Sequence, residues 1–284
     1  EVTITDCNEA TPGELVIPDT IGGNPVTSIG HEAFGDCSSL TSVTIPENVT
    51  SIGQQAFEHC SSLTSVTIPE NLTRIPFAIF RGCSSLTSVT IPENVTIIGQ
   101  QAFYNCSSLA SVTIPDSVTS IASYVFYNCS SLASVTIPEN VTDIEQLAFY
   151  NCSSLASVTI PDSVTSIGPQ SFQGCTGLTS ITIPENVTII GQQAFYNCSN
   201  LASITFLGNA PSMGDHPFFG VADGAVAIVS GVEQATFGDV GADWNGLAIA
   251  CNDGVLCWLT WTTTDGEVTI TDCNEATPGE LVIP

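Results

Sequence analysis

The chain has 284 residues, of which 28 are acidic and two basic, for a formal net charge of −26. Such a field repels a polyphosphate backbone along nearly the whole surface, which excludes nucleic acid as a partner. No run reaches the roughly 18 to 20 apolar residues of a membrane span and no basic amphipathic helix is present, so no membrane insertion is predicted within this segment.

In chain order, EVTITDCNEATPGELVIP opens the sequence at Glu1 and returns unchanged at Glu267 to Pro284. This predicts a larger tandem array in which Glu267 opens the next module and any signal or anchor lies outside this fragment. Next, GELVIPDTIGGNPVTSIGHEAFGDC, Gly13 to Cys37, has the apolar spacing of the 23-residue unit that begins at Ser38, enlarged around Gly22 to Pro25. Residues 1–37 are therefore expected to be an N-terminal cap and first atypical coil, shielding the end of a stacked core.

From Ser38 the stretch SSLTSVTIPENVTSIGQQAFEHC recurs at Ser61, Ser84, Ser107, Ser130, Ser153 and Thr176, always 23 residues on. A fixed period makes length a measure of repeat number and predicts a solenoid over residues 38–206. Apolar residues hold fixed columns, first set at Leu40, Val43, Ile45, Val49, Ile52, Ala56, Phe57 and Cys60. Ser42 to Ile45 alternates polar and apolar in a β-branched context, which predicts one short parallel strand per coil with Val43 and Ile45 inward. Pro46 stops the ladder, Val49 and Ile52 predict a second short extended piece, and Ala56, Phe57 and Cys60 have the spacing of a single helical turn. One coil cannot bury these columns alone; neighbours supply the core.

Residues 207–250 depart from the period and are expected to form a C-terminal cap, with AVAIV at Ala225 to Val229, a short helix at Val232 to Phe237 and LAIA at Leu247 to Ala250. In residues 251–284, Asp265-Gly266 between two β-like runs predicts a hairpin joining this module to the start of the next.

The repeat LTSVTIPENVTSIGQQAFEHC resembles the 23-residue leucine-rich repeat of the BspA-like bacterial surface antigens, closely over Val26 to Phe206. The resemblance implies a β-rich solenoid: a right-handed leucine-rich-repeat stack of 23-residue coils with a parallel sheet, short helical turns and caps at both ends. It implies cell-surface or secreted proteins that adhere to host or matrix proteins, and it carries no catalytic residues. The expectation is thus a non-enzymatic extracellular module for adhesion or protein binding, whose partner is an extracellular protein or glycan.

Four columns are candidates for chemistry. Cys37, Cys60, Cys83, Cys106, Cys129, Cys152, Cys175 and Cys198 form a straight row without histidine, which provides no tetrahedral zinc site and reads as buried free thiols packed as small apolar groups. Cys7, Cys251, Cys257 and Cys273 break the period and are the better disulfide candidates, Cys257 and Cys273 facing each other across the expected hairpin. His31, His59 and His216 are the only histidines, none beside a nucleophile with an orienting acid, so the chain is read as no enzyme and needs no cofactor. Glu47, Glu70, Glu93, Asp116, Glu139, Asp162 and Glu185 form an acidic row; its plain reading is a solvated turn, and its functional reading is weak calcium sites in a braced structural spacer.

Exposed strand positions, among them Ser88, Thr90, Ser111, Thr113, Ser134 and Thr136, form a hydroxyl face that could bind an ordered lattice, ice or polysaccharide, although strand propensity explains it without a ligand. Selectivity requires positions where the copies differ. The pair before cysteine does so, running from Glu58-His59 and Arg81-Gly82 to Tyr104-Asn105, Tyr127-Asn128, Tyr150-Asn151, Gln173-Gly174 and Tyr196-Asn197. Tyr104, Tyr124, Tyr127, Tyr150 and Tyr196 are therefore expected to form an outward aromatic stripe that anchors an interface.

Overall fold

A computed structural model describes residues 1–6, 13–229, 234–237, 243–251, 259–264 and 267–273. The chain is a parallel β-solenoid. The alternating S-V-T-I segments give one row of strands, in which Val43 pairs with Val66, Val89 with Val112, Val135 with Val158 and Ile181 with Ile204. The second extended piece gives a further row of two-residue strands, through which Ile121, Ile144, Ile167, Ile190 and Met213 follow one another in register. Leu63, Val95, Val118, Phe103 and their counterparts in the other coils are buried in one core that extends from Ile17 to Ile249.

The expected helical turn at Ala56 to Cys60 does not form. In its place each coil makes a turn with two residues in the left-handed region, Gln55 at φ 57° and His59 at φ 58° in the first full repeat. Spacing alone does not separate this turn from a helical one, because both bring Ala56, Phe57 and Cys60 to one side. What differs is the destination of the amide hydrogens. Gln55, Phe57 and His59 donate to Phe77, Ile79 and Arg81 carbonyls of the next coil at 3.0, 3.0 and 2.7 Å, where a helix would satisfy itself internally. These bonds compensate for left-handed backbone at side chains as ill-suited to it as Leu147 (φ 58°) and Tyr124 (φ 60°). The position before cysteine is easier, since Asn105, Asn128, Gly82 and Gly174 adopt that region at low cost.

Inside these turns, phenylalanines stack continuously from Phe34 to Phe218, with successive ring centroids 5.0 to 5.7 Å apart. The thiols from Cys60 to Cys198 are free and buried, as expected of the column. They also act as donors: the Phe57 carbonyl accepts the Cys60 amide of its own coil at 3.4 Å and the Cys83 thiol of the next at 3.1 Å. Cys37 corrects the reading of eight free thiols, because it is disulfide-bonded. The reason lies at the stack's end. A column thiol donates to a phenylalanine carbonyl 26 residues earlier, and the sequence before Gly13 contains no Ala-Phe turn to offer one. Cys7, Cys257 and the turn pair Asp265-Gly266 lie outside the described residues, as do the side chains of Cys251 and Cys273.

At the N-terminal end, Val2–Ile4 and Gly13–Val16 join the two strand rows in parallel, and the extra residues form a hairpin of Thr20–Ile21 with Asn24–Pro25 around Gly22 and Gly23, both at positive φ. The C-terminal cap continues the sheet through Val226–Val229 and Leu247–Cys251, which Asp243–Trp244 meets antiparallel. Of the expected helix, Gln234–Phe237 is described and is helical, and Val232 and Glu233 lie outside the described residues. Phe206, Phe237 and Trp244 close the core at 4.7 to 5.3 Å, Trp244 edge-on to both phenylalanines and Phe237 tilted against Phe206. Leu259–Thr264 and Glu267–Cys273 pair antiparallel, with Thr264 opposite Glu267.

Candidate functional site

All five tyrosines of the chain lie in the left-handed turns. Because Phe103, Phe126 and Phe149 fill the interior, the residue after each is turned outward, and the coil spacing lays its ring on the next. Tyr104 stacks on Tyr127 at 4.5 Å and 2° between planes, and Tyr127 on Tyr150 at 4.6 Å and 3°. Tyr124 leans on Tyr127 at 5.9 Å and 41°. Each tyrosine is half-buried rather than fully outward, and the faces of the Tyr127 ring are covered by Tyr104 and Tyr150. Burial, then the flanking Tyr104 and Tyr150 phenols, raise the Tyr127 hydroxyl above the usual phenol range.

The stripe is shorter than its sequence suggests. Gln173 takes the tyrosine position between Tyr150 and Tyr196, so Tyr196 stands apart and stacks on Phe219 at 5.3 Å, with His216 edge-on to Phe219 at 6.1 Å. The other end has a polar cap that sequence reasoning missed. Arg81 places its guanidinium 5.3 Å from the Tyr104 ring centre and its Nη1 3.2 Å from Glu58 Oε1, while His59 Nδ1 lies 3.2 Å from Asp36 Oδ1. The signal was present, since one of only two basic residues occupies the variable pair one coil before the first tyrosine.

Beside the stack lies an open groove of about 580 Å3 lined by Ser84, Asn105, Ser107, Asn128, Ser130, Asn151 and Ser153. Left-handed backbone at the asparagines turns their side chains along the ridge, and Asn128 Nδ2 donates to Asn105 Oδ1 at 2.9 Å. A flat aromatic edge, one cation and a row of amide and hydroxyl groups thus share one face. This arrangement can bind; it contains no nucleophile paired with a base.

The other candidate columns occupy separate faces. Ser88, Thr90, Ser111, Thr113, Ser134 and Thr136 are exposed, with Ser88 opposite Ser111 and Thr90 opposite Thr113, but Ser134 and Thr136 belong to the next sheet segment, paired with Ser157 and Thr159. Glu47, Glu70, Glu93, Asp116, Glu139, Asp162 and Glu185 line an exposed turn. There the Glu70 amide donates to the Glu47 carboxylate at 3.1 Å, and Asn71, Asn94, Asn140 and Asn186 donate to the main chain of the preceding coil at 2.8 to 3.1 Å. No three His, Cys, Asp or Glu side chains gather as a metal site among the described residues. No helix among them is long and apolar enough to cross a membrane.

Comparison with known proteins agrees with this architecture. The model of the BspA type leucine rich repeat region matches residues 14–133 and 96–222. Among solved structures, a leucine-rich repeat protein from Bacteroides ovatus is 31% identical, covering 86% of this chain and 70% of its own, with a TM-score of 0.63. A T. pallidum leucine rich repeat protein is 34% identical over 62% of this chain and 82% of its own, at a TM-score of 0.57. A leucine rich cell surface protein from Faecalibacterium prausnitzii is 29% identical over 90% of this chain and 76% of its own, at 0.58. No curated protein matches. Family model, repeat spacing and fold coincide, and the chain belongs to the BspA-type leucine-rich repeat family.

Proposed function

We propose that this chain is a non-enzymatic extracellular module for adhesion or protein binding, and that its working contact is the stack of Tyr104, Tyr127 and Tyr150 with Tyr124 and Arg81. The observation that carries the reading is the continuity of this stack beside the asparagine and serine groove, on the face where coils differ. Tyrosine and arginine bury large apolar area with a polar tip, the composition of interface hot spots, and prior stacking reduces the entropy lost on binding. The Faecalibacterium prausnitzii relative, a cell surface protein, supports the extracellular setting.

A second reading uses the exposed, partly in-register hydroxyl face to bind ice or polysaccharide. One experiment separates the two. Replacing Tyr104, Tyr127 and Tyr150 by alanine is expected to weaken retention on plates coated with purified extracellular-matrix proteins at least about tenfold, the effect of losing ~1.4 kcal/mol. Thr113→Lys with Thr136→Lys is expected to leave it unchanged. Loss confined to the lysine variants, or ice shaping and glycan retention abolished by them alone, would reverse the order.

Calcium bracing of the acidic row is a third reading, supported by the reach of the Glu47 carboxylate to the next coil. Its expected result is a melting temperature that rises with calcium beyond matched magnesium, and no longer does so in Glu93→Gln, Asp116→Asn, Glu139→Gln. Equal curves for the two ions would leave a solvated acidic edge.

A further inference from the structure

The coils of Asn105, Asn128 and Asn151 differ from their neighbours in the main chain as well as in the side chain. At Gly82 and Gly174 the loop closes on itself: the Ser84 and Thr176 amides donate to the glycine carbonyls at 2.8 and 2.9 Å. The asparagines hold the same left-handed region, at φ 58°, 57° and 54°, yet their loops bond to the preceding coil. There the Ser108, Ser131 and Ser154 amides donate to the Ser84, Ser107 and Ser130 carbonyls at 3.2, 3.1 and 3.1 Å. The Ser107, Ser130 and Ser153 hydroxyls donate to the same carbonyls at 3.3 to 3.4 Å, while the amides of these three serines have no hydrogen-bond partner among the described residues.

Each of these three coils therefore brings to the groove one free main-chain donor, one carboxamide and one hydroxyl oxygen left to accept, and no charged side chain lines it. A matching ligand repeats at the coil spacing, 4.5 to 4.6 Å at the tyrosine rings, and alternates donors with acceptors. An anionic chain is repelled by a net charge of −26, and a cationic one finds no carboxylate in the lining. An extended polypeptide laid along the groove turns a carbonyl to the same side only every ~6.6 Å and leaves register within the three coils. A chain of β-1,4-linked pyranose rings advances one ring per step close to the coil spacing, and every ring has hydroxyls on both edges that donate and accept.

We propose that this groove binds a neutral, linear glycan of β-1,4-linked pyranose rings, one ring against each of the coils of Asn105, Asn128 and Asn151. This rests on the reading of the tyrosine face as the working contact and gives that face its partner. The Ser107, Ser130 and Ser153 amides and the asparagine carboxamides donate to ring hydroxyls, and the serine oxygens accept from them. The Asn128 carboxamide is held by its bond to Asn105 at 2.9 Å, so part of the ordering precedes binding. The site is three coils long because the loops at Gly82 and Gly174 satisfy their own amides. Glycine there also leaves room for the neighbouring coil: a Cβ at Gly174 would strike Asn151 Oδ1, and one at Gly82 the His59 ring.

The test is isothermal titration calorimetry of the full chain with cello- and chito-oligosaccharides of one to six rings. In at least one series affinity is expected to rise steeply up to three rings and to level off beyond. Asn105→Gly with Asn128→Gly and Asn151→Gly keeps the left-handed backbone, as Gly82 and Gly174 do, and removes the carboxamides. It is expected to weaken binding of the four-ring oligosaccharide at least about tenfold. Should that variant not fold, Ser130→Lys, which fills the middle of the groove, is expected to give the same loss. Undiminished binding in the variant that folds, or loss only in Thr113→Lys with Thr136→Lys, would overturn the proposal. So would the absence of binding in both series at millimolar concentration, and plates coated with matrix proteins then separate the two readings. Retention that falls on replacing the three tyrosines by alanine, whether or not the coat is enzymatically deglycosylated, keeps the tyrosine contact and gives it a polypeptide partner. Retention unchanged by those substitutions removes the tyrosine contact as well.

Discussion

Between pH 9 and pH 11 the solenoid is expected to lose stability steeply, and the thiol column is the cause. Burial pushes the Cys60 and Cys198 thiols up to about 12, and raises Cys83, Cys106, Cys129, Cys152 and Cys175 as well, with adjacent thiols adding to the effect at Cys83, Cys129 and Cys175. In the unfolded chain the same thiols ionise near 9.0. The native state therefore binds more protons than the unfolded state above that value. The stabilisation is complete below pH 9 and falls as pH rises toward the native values. Each thiol protonated in one state and ionised in the other contributes a slope of ~1.4 kcal/mol per pH unit, so seven acting together approach about 10. Urea midpoints at pH 7, 8, 9, 10 and 10.5 are the measurement: flat to pH 8, then falling. Cys129→Ala is expected to lower the midpoint at pH 7 through lost packing yet make the alkaline fall shallower by one thiol's share. A midpoint unchanged through pH 10.5, or rapid alkylation of these thiols in the native protein, would contradict their burial.

Phe126→Ala is expected to be the most damaging single truncation of the stack, at about 3 to 5 kcal/mol. The ring has no solvent exposure and lies 5.5 Å from both Phe103 and Phe149. The coils above and below cannot collapse into the space, because the Phe126 amide is tied to the Ala148 carbonyl at 2.9 Å and its carbonyl receives the Cys152 thiol at 3.1 Å. Phe126→Leu retains most of the volume and is expected to cost less than half as much. Urea denaturation followed by far-UV circular dichroism measures both. An alanine variant within about 1 kcal/mol of wild type would mean that the stack is looser than its geometry.

The columns Leu40, Val43, Ile45, Val49 and Ile52 were legible in sequence because alternation and period act locally and every coil repeats them. The Ala-Phe turn was legible as a place but not as a conformation, since its amides are satisfied by the neighbouring coil and not within the turn. The same holds for the thiols: their burial followed from spacing, whereas their bonds to phenylalanine carbonyls depend on how coils stack. Cys37 departed from its column because residues 1–12 contain no Ala-Phe turn to offer its thiol a phenylalanine carbonyl. At the candidate site, the tyrosines could be identified from their variable position. The break at Gln173 was visible in the same variable pair, whereas the cap by Arg81 was present only as a residue type, because its contacts are a relation between coils. Arg81 contacts Glu58 and Tyr104, both 23 residues away.

Within the repeats, the bonds that hold one coil to the next join residues 22 to 26 apart, and none there depends on a partner farther along the chain. Cutting the sequence at any phase and duplicating 23 residues therefore inserts a complete coil, with every donor and acceptor supplied. Unequal recombination between near-identical coding repeats can lengthen or shorten such a molecule in single steps, without a folding penalty at the junction. What changes with each step is the separation between the Arg81-capped tyrosines and the two ends. The reach of the binding face is thus inherited as a copy number and can be adjusted independently of its chemistry.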